Sequence, residues 1–206
     1  FPEVMWTTDI AGAVTRQAAA ATGLTEGTPV IAGTIDAAAE AVSVGVVNPG
    51  ELMLMYGSTI FIIQITATRV RDARLWYSPW LFPGQHGAMA GLSTAGTLTH
   101  WFRNNLAKEL APENAFAELA AEAAASPPGA NGIVLLPYFS GYLTPEYDPR
   151  AKGLIFGLDL THSRGDLFRA ALEGIAHGTR HVLDTYADAG QAPRAVYAVG
   201  GGTKNN

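Results

Sequence analysis

The chain has 206 residues, 48% of them hydrophobic and only 15% charged, and 13 Lys and Arg against 18 Asp and Glu give a formal net charge of -5. That length suits one domain, or one domain plus part of a second, with ample residues for a core, and the scattered cations form no basic stripe of the kind nucleic acid requires. The absence of cysteine excludes disulfides, thiol nucleophiles and Cys-ligated zinc and fits a reducing cytoplasm, and no apolar run reaches the ~18 residues of a membrane span.

The opening Phe-Pro-Glu-Val-Met-Trp is no charged n-region followed by an apolar run, so no signal peptide is expected. Both ends read as cuts through a longer protein. Residues 9–22 are alanine-rich and predict a helix with Asp9 as N-cap and Gly23 as its C-terminal glycine. Pro29 to Gly33 reads as a short buried strand, and Ala37 to Val46 as a second helix closed by Asn48-Pro49-Gly50. Leu52–Tyr56 and Ile60–Thr66 then read as strands of a hairpin with Gly57-Ser58-Thr59 as its loop. Further strands are expected around Arg74–Trp80 and His86–Leu92, and helices at about 96–108 and 113–125, the latter stopped by Ser126-Pro127-Pro128-Gly129. Ile133–Leu136 reads as a strand, followed by a loop rich in Gly, Pro and aromatics through Arg150. Gly153–Gly157 reads as another strand, 164–188 as a long helix, and Ala195–Val199 as a last strand running into triple glycine. A βα unit, antiparallel strands and then alternating helices and strands predict an α/β layered protein with a mixed sheet. No internal repeat is visible.

Several residues invite a chemical reading, and each has a plainer one. Asp36 follows a predicted strand and opens a helix, where a carboxylate can reach a ligand at the carboxyl end of a sheet and accept a hydroxyl proton; the alternative is an ordinary N-cap. Gly57-Ser58-Thr59 offers amides and two hydroxyls for an anion, or is simply a hairpin loop. Gly200-Gly201-Gly202-Thr203-Lys204 lets backbone approach a ligand, or is a linker; its order is neither a P-loop nor a dinucleotide fingerprint. His177 and His181 lie four apart, but Gly178 stands where a zinc-protease helix needs Glu, and a metal site is rejected in favour of a solvated face. On that helix Leu172, Ile175, Ala176, Thr179, Val182 and Tyr186 mark the expected buried stripe. The aromatics Trp76, Tyr77, Trp80 and Phe82 read as core or contact residues as readily as a sugar platform.

The order of these motifs is more specific than any one of them. Gly27 through Ala39, with Ile35-Asp36-Ala37-Ala38-Ala39, resembles the segment of FGGY carbohydrate kinases that carries their catalytic aspartate. Tyr56-Gly57-Ser58-Thr59 is similar to their second phosphate motif, with the usual hydroxyl order reversed. Leu135 to Gly141 with Thr144-Pro145 resemble the loop preceding the family's C-terminal signature, and Gly153-Leu154-Ile155-Phe156-Gly157-Leu158 with Asp166-Leu167 and Ala170-Ala171-Leu172-Glu173 resemble that signature. Gly200-Gly201-Gly202-Thr203 resembles its adenosine motif. Tyr142-Leu143 stands where kinases of the xylulokinase type often carry Glu-Arg.

The resemblance implies an incomplete ribonuclease H-like, actin-like ATPase fold, with residues 1–47 as the tail of a sugar-binding domain and 48–206 as the first part of an ATP-binding domain. It implies ATP-dependent phosphorylation of a sugar or polyol hydroxyl with Asp36 as general base, ATP and Mg2+ as cofactors, a cytoplasmic location, and a homodimer as candidate assembly. Gly57, Ser58 and Thr59 would face the phosphates, Gly96 would touch the nucleotide, and Gly201, Gly202, Thr203 and Asn206 would border adenine and ribose. The family's N-terminal phosphate loop and most sugar contacts lie outside this stretch, which alone is expected to be inactive. The alternative is a non-catalytic actin-fold nucleotide-binding module.

Overall fold

A computed structural model describes residues 4–204. The first elements form a small hairpin: β1 (Ile10–Ala13) pairs antiparallel with β2 (Pro29–Ile31), and α1 (Arg16–Thr22) lies between them. The expected helix over 9–22 is therefore corrected. Strand pairing captures residues 10–13, the Thr15 hydroxyl caps the helix by accepting the Ala18 N–H, and Asp9 instead takes the Trp6 N–H at 2.7 Å. Alanine propensity, worth tenths of a kcal/mol per residue, yields to tertiary pairing. The strand expected to be buried at 29–33 is shorter and exposed throughout.

α2 (Asp36–Ser43) follows, and Gly45, at φ +86, turns the chain out of the helix earlier than expected. The main sheet then assembles from β3 (Glu51–Tyr56), β4 (Ile60–Thr66), β5 (Trp76–Pro79), β6 (His86–Leu92) and, much later, β9 (Ala195–Val199). Its order is β5-β6-β4-β3-β9; every pairing is antiparallel except β3 with β9, which makes the sheet mixed as expected. Tyr56 pairs with Ile60 across the three-residue turn read from the sequence.

Period-2 alternation gives this sheet two buried faces. Leu52, Leu54, Ile60, Ile62, Ala88, Ala90 and Leu92 meet Leu98 of α3 (Gly96–Leu106) and Ile175, Val182 and Tyr186 of α5 (Arg164–Asp188). Met53, Ile63 and Ile65 meet Ala38 and Ala41 of α2, with Val46, Trp80 and Leu81. The result is helix, sheet, helix. α4 (Ala115–Ala125) joins through a third cluster of Phe102, Leu119, Ala123 and Phe168. The aromatic group at 76–82 divides: Trp80 is core, Trp76 stacks on Phe61, and Tyr77 bonds His86.

β7 (Val134–Leu136) and β8 (Leu154–Phe156) form a separate antiparallel ribbon beside α5. Leu135 and Ile155 point into the core, whereas Val134, Leu136, Leu154 and Phe156 stand exposed on the outer face. Glycine allows the close packing: a Cβ on Gly174 of α5 would lie 2.3 Å from the Leu135 carbonyl oxygen. On α5, Ile175, Thr179, Val182 and Tyr186 are buried as expected, but Leu172 and Ala176 are exposed. His177 and His181 lie on its exposed side, where the Tyr142 hydroxyl meets His181 Nδ1 at 3.0 Å. Among the described residues no helix is long and apolar enough to cross a membrane.

The signature stretch has a structural account. Ser163 and Asp166 form a reciprocal capping box at the start of α5. The buried Asp166 carboxylate also accepts from the Ser126 hydroxyl at 2.6 Å and the Asn131 amide at 2.8 Å, so one side chain ties the end of α4 and the 126–132 turn to α5. The Ser126 hydroxyl above all, then the hydroxyl and N–H of Ser163, hold this carboxyl well below the usual range. A depressed folded-state pKa stabilises fully above the unfolded value of about 4 and is lost as the pH falls below it. Asp166→Asn is therefore expected to lower stability at pH 7 and to flatten its decline between about pH 4 and pH 2. Urea midpoints across that range check this; parallel curves for the two proteins would remove Asp166 from the acid sensitivity.

Candidate active site

The strands β3 and β9 run parallel and end together, and β6, antiparallel to β4, ends on the same side. Ligands of open α/β sheets gather at such a carboxyl edge. Here the chain leaves β3 through Gly57-Ser58-Thr59, leaves β6 into α3, and leaves β9 through Gly200 into a short 3-10 turn, Gly201–Lys204.

These exits are stitched together by backbone. The N–H of Ala95 and of Thr97 both donate to the Ser58 carbonyl, at 3.0 and 3.1 Å, and that of Gly96 donates to the Gly57 carbonyl at 3.1 Å. The Thr97 hydroxyl adds a further bond to the Ser58 carbonyl. Such proximity needs residues without side chains. A Cβ on Gly96 would lie 2.7 Å from the Gly57 oxygen, one on Gly200 2.3 Å from the Tyr56 oxygen, and one on Gly202 2.8 Å from Tyr56 Cβ. Gly200 also has φ +99. Gly201 is different: nothing lies within 4 Å of where its Cβ would be.

Two carbonyls of this turn, those of Gly57 and Ser58, are thus taken by the start of α3. The Gly57 N–H is taken by the Thr59 carbonyl. Among the described residues no acceptor takes the N–H or hydroxyl of Ser58 or Thr59, and both residues are exposed. Thr203 is committed locally, its hydroxyl bonding the Gly200 carbonyl at 2.8 Å.

A cleft of about 570 Å³ opens beside the turns, within the usual range for small-molecule sites. Its polar mouth includes Gly57, Ser58, Gly96, Gly201 and Gly202, five of the expected nucleotide residues. Thr59 and Thr203 do not line it, and Asn206 lies outside the described residues. The far wall is apolar: Phe116 and Ala120 of α4 face Phe168, Leu172, Ile175 and Ala176 of α5. His100 lies on the same wall, edge-on to Phe116 with ring centroids 5.0 Å apart. Sequence reasoning missed His100 and Phe116. It placed Leu172 and Ala176 in the core because helical periodicity reads a cleft-facing apolar residue and a buried one alike.

Asp36 stands across the sheet from this cleft. α2 packs on the opposite face, and its C-terminal connection is bonded to Glu51 at the start of β3, so the helix runs antiparallel to that strand. Ala37 packs in the same cluster as Met55 and Val199, near the ends of β3 and β9. The Asp36 carboxylate is exposed, with Oδ1 accepting the adjacent Ala37 N–H at 2.8 Å. The N-cap position belongs to Ile35, which makes no side-chain cap bond, so Asp36 is the first residue of the helix proper. Negative charge is favoured there by the helix dipole.

Residues 52–206 match the C-terminal domain of the FGGY family of carbohydrate kinases. The whole chain is 30% identical over 216 residues to xylulose kinase of Bacillus subtilis (strain 168), spanning 41% of that protein. It is 31% identical over 205 residues to ribulokinase of Anoxybacillus flavithermus, covering 95% of this chain and 36% of that one. The crystal structure of xylulose kinase from Rhodospirillum rubrum superimposes with a TM-score of 0.90 at 41% identity, over 98% of this chain and 41% of its own. The chain spans about two fifths of the length of these relatives.

The contact between α3 and the 57–59 turn leaves no room for a methyl group. Gly96→Ala is expected to cost about 1–3 kcal/mol of unfolding free energy through overpacking. Denaturant titration measures it, and an unchanged midpoint would show that the turn can yield.

Proposed function

We infer, for a chain that belongs to the FGGY family of carbohydrate kinases, that it supplies the general base and part of the nucleotide cradle of an enzyme phosphorylating a sugar or polyol with ATP. One observation carries the reading. Residues far apart in sequence, Gly57, Ser58, Gly96, Gly201 and Gly202, line a single cleft, and the helix that opens with Asp36 packs on the other face of the same sheet.

The apolar wall between Phe116 and Leu172 suits a nucleoside base, and the free donors of Ser58 and Thr59 suit phosphate oxygens. Magnesium neutralises phosphate charge in reactions of this class. The exposed hydroxyl oxygens of Ser58 and Thr59 suit a hard cation shared with phosphate oxygens. Among the described residues no three His, Cys, Asp or Glu side chains cluster to hold a metal without help. Asp36 accepts the proton of the acceptor hydroxyl while its oxygen bonds to the γ-phosphorus; the bond to the β,γ-bridging oxygen breaks and ADP leaves. Phosphoryl transfer asks chiefly for positioning and charge stabilisation, which amide-lined turns and one carboxylate are able to provide.

The same proposal divides the protein at 47/48 into a sugar-binding and a nucleotide-binding half, and includes a cytoplasmic homodimer as its setting. The identity of the acceptor is a matter for assay. Relatives named xylulose kinase and ribulokinase make the pentuloses the first compounds to screen, followed by hexuloses, aldoses and polyols.

In the full-length protein, Asp36→Asn is expected to lower turnover at least about a hundredfold, the low end for loss of a general base, while ATP still binds. Coupled ADP release and calorimetric ATP titration measure the two; near-normal turnover would return Asp36 to a purely structural role. Gly201 faces open space, so Gly201→Leu should fold normally yet raise the Kd for ATP at least about tenfold, equivalent to ~1.4 kcal/mol. An unaltered Kd would remove Gly201 from the nucleotide site.

A further inference from the structure

The N–H groups of Ala95, Gly96 and Thr97 hold the carbonyls of Gly57 and Ser58, so whatever fixes the start of α3 also fixes the donors of the 57–59 turn. Local capping does not supply that support. Ala95 stands at the N-cap of α3 and offers no side-chain bond there, whereas a serine, threonine or aspartate at this position would hold a free N–H of the first turn. The support comes instead from a loop 46 residues further along the chain.

Thr94, 2% exposed and next to Ala95, accepts the Ser140 N–H on its hydroxyl oxygen at 3.2 Å. Thr144, 1% exposed, accepts the Gly91 N–H of β6 at 3.3 Å. β5 accompanies β6 only as far as Met89, so this hydroxyl serves a donor that lies beyond the strand pairing. The Phe139 ring lies against Trp101 of α3 with centroids 5.0 Å apart, in a space that a Cβ on Gly153 would fill. The loop is closed on itself as well. Tyr142 and Asp148 exchange backbone bonds at 2.9 and 3.0 Å, and the Tyr142 ring stacks on Tyr138 with centroids 4.2 Å apart. The Tyr142 hydroxyl meets His181 of α5. One short loop is thus pinned to β6, to the β6–α3 junction, to α3 and to α5.

We infer that the 138–148 loop braces the start of α3, and that Thr94 and Thr144 are positioning residues for the phosphate-facing turn. Both hydroxyls are buried, so a backbone donor that loses its oxygen here keeps the full cost of being unpaired. Without the Thr94 oxygen the loop and the β6–α3 junction separate. Ala95 and Gly96 then carry the displacement to the Ser58 and Gly57 carbonyls, and with them to the donors of Ser58 and Thr59. The consequence for phosphate rests on the proposed reading of that turn; the brace itself does not.

Thr94→Val in the full-length protein keeps the shape of the side chain and removes the acceptor. Amide exchange read by mass spectrometry should quicken about fivefold at 57–59 and 95–97, the scale of one lost hydrogen bond, and stay unchanged at 102–106. Calorimetry with magnesium and AMP-PNP should give a Kd about fivefold higher for the same reason, while adenosine, which has no phosphates, binds as before. Thr94→Ser keeps the oxygen and should restore both readouts. Thr144→Val, at the other pin, should act in the same direction, and it answers the question if Thr94→Val does not fold. Unchanged exchange in a folded variant overturns the brace. An equal loss of affinity for AMP-PNP and adenosine overturns the positioning role and leaves Thr94 a packing residue. Faster exchange with an unaltered AMP-PNP Kd would keep the brace and remove the 57–59 turn from the phosphate site.

Discussion

Everything at the carboxyl edge of this sheet depends on the lack of side chains around two residues, Tyr56 and Gly57. Two separate segments, the start of α3 and the 200–202 turn at both its ends, approach them so closely that a Cβ would fall at 2.3–2.8 Å, well inside contact distance. Glycine at 96, 200 and 202 is therefore an assembly requirement, whatever ligand is bound. Only because those three let the backbone converge do the turns share one cleft. Gly201, in the middle of them, is the glycine whose hydrogen faces empty space.

The electrostatics of the cleft follow from what surrounds it. No Lys or Arg is among its lining residues. Three arginines of α5 are paired, Arg164 with Glu109 and Glu122, Arg169 with Glu173 and Arg180 with Asp184. Arg103 of α3, by contrast, lies 5.1 Å over the ring of the cleft-lining Phe116 and, among the described residues, bonds only the neighbouring Asn104. A polyanion bound at these turns meets chiefly the amide and hydroxyl dipoles of the lining residues. Neutralisation by a divalent ion is correspondingly important to the proposed reaction.

Much of this was legible in the sequence, for physical reasons. β4, α5 and β9 were found at their observed bounds and β3 to within one residue, because long periodic runs ended by glycine or by a capping serine leave little choice. Glycine triplets and turns flagged the sites of close approach. Residues 10–13 were misread because alanine speaks for a helix locally, whereas an antiparallel partner nineteen or so residues away decides otherwise. The apolar wall of the cleft was invisible for a different reason. Phe116 and Leu172 have the composition of core, and only the arrangement of α4 against α5 shows that they line a space. Asp36 was singled out as a candidate base with an N-cap as its plain alternative, and the N-cap position proves to be held by Ile35.

The β7–β8 ribbon carries a consequence for handling. Val134 lies opposite Phe156 and Leu136 opposite Leu154, so the exposed face is a continuous strip of four large apolar side chains on two strands, with β8 unpaired along its outer edge. Strips of this kind, joined to an open strand edge, drive self-association as concentration rises. Expressed by itself, this stretch of polypeptide would therefore be limited by colloidal behaviour before it was limited by folding. A lysine at position 156, on the solvent side of a short strand, would be the least disruptive way to keep it dispersed.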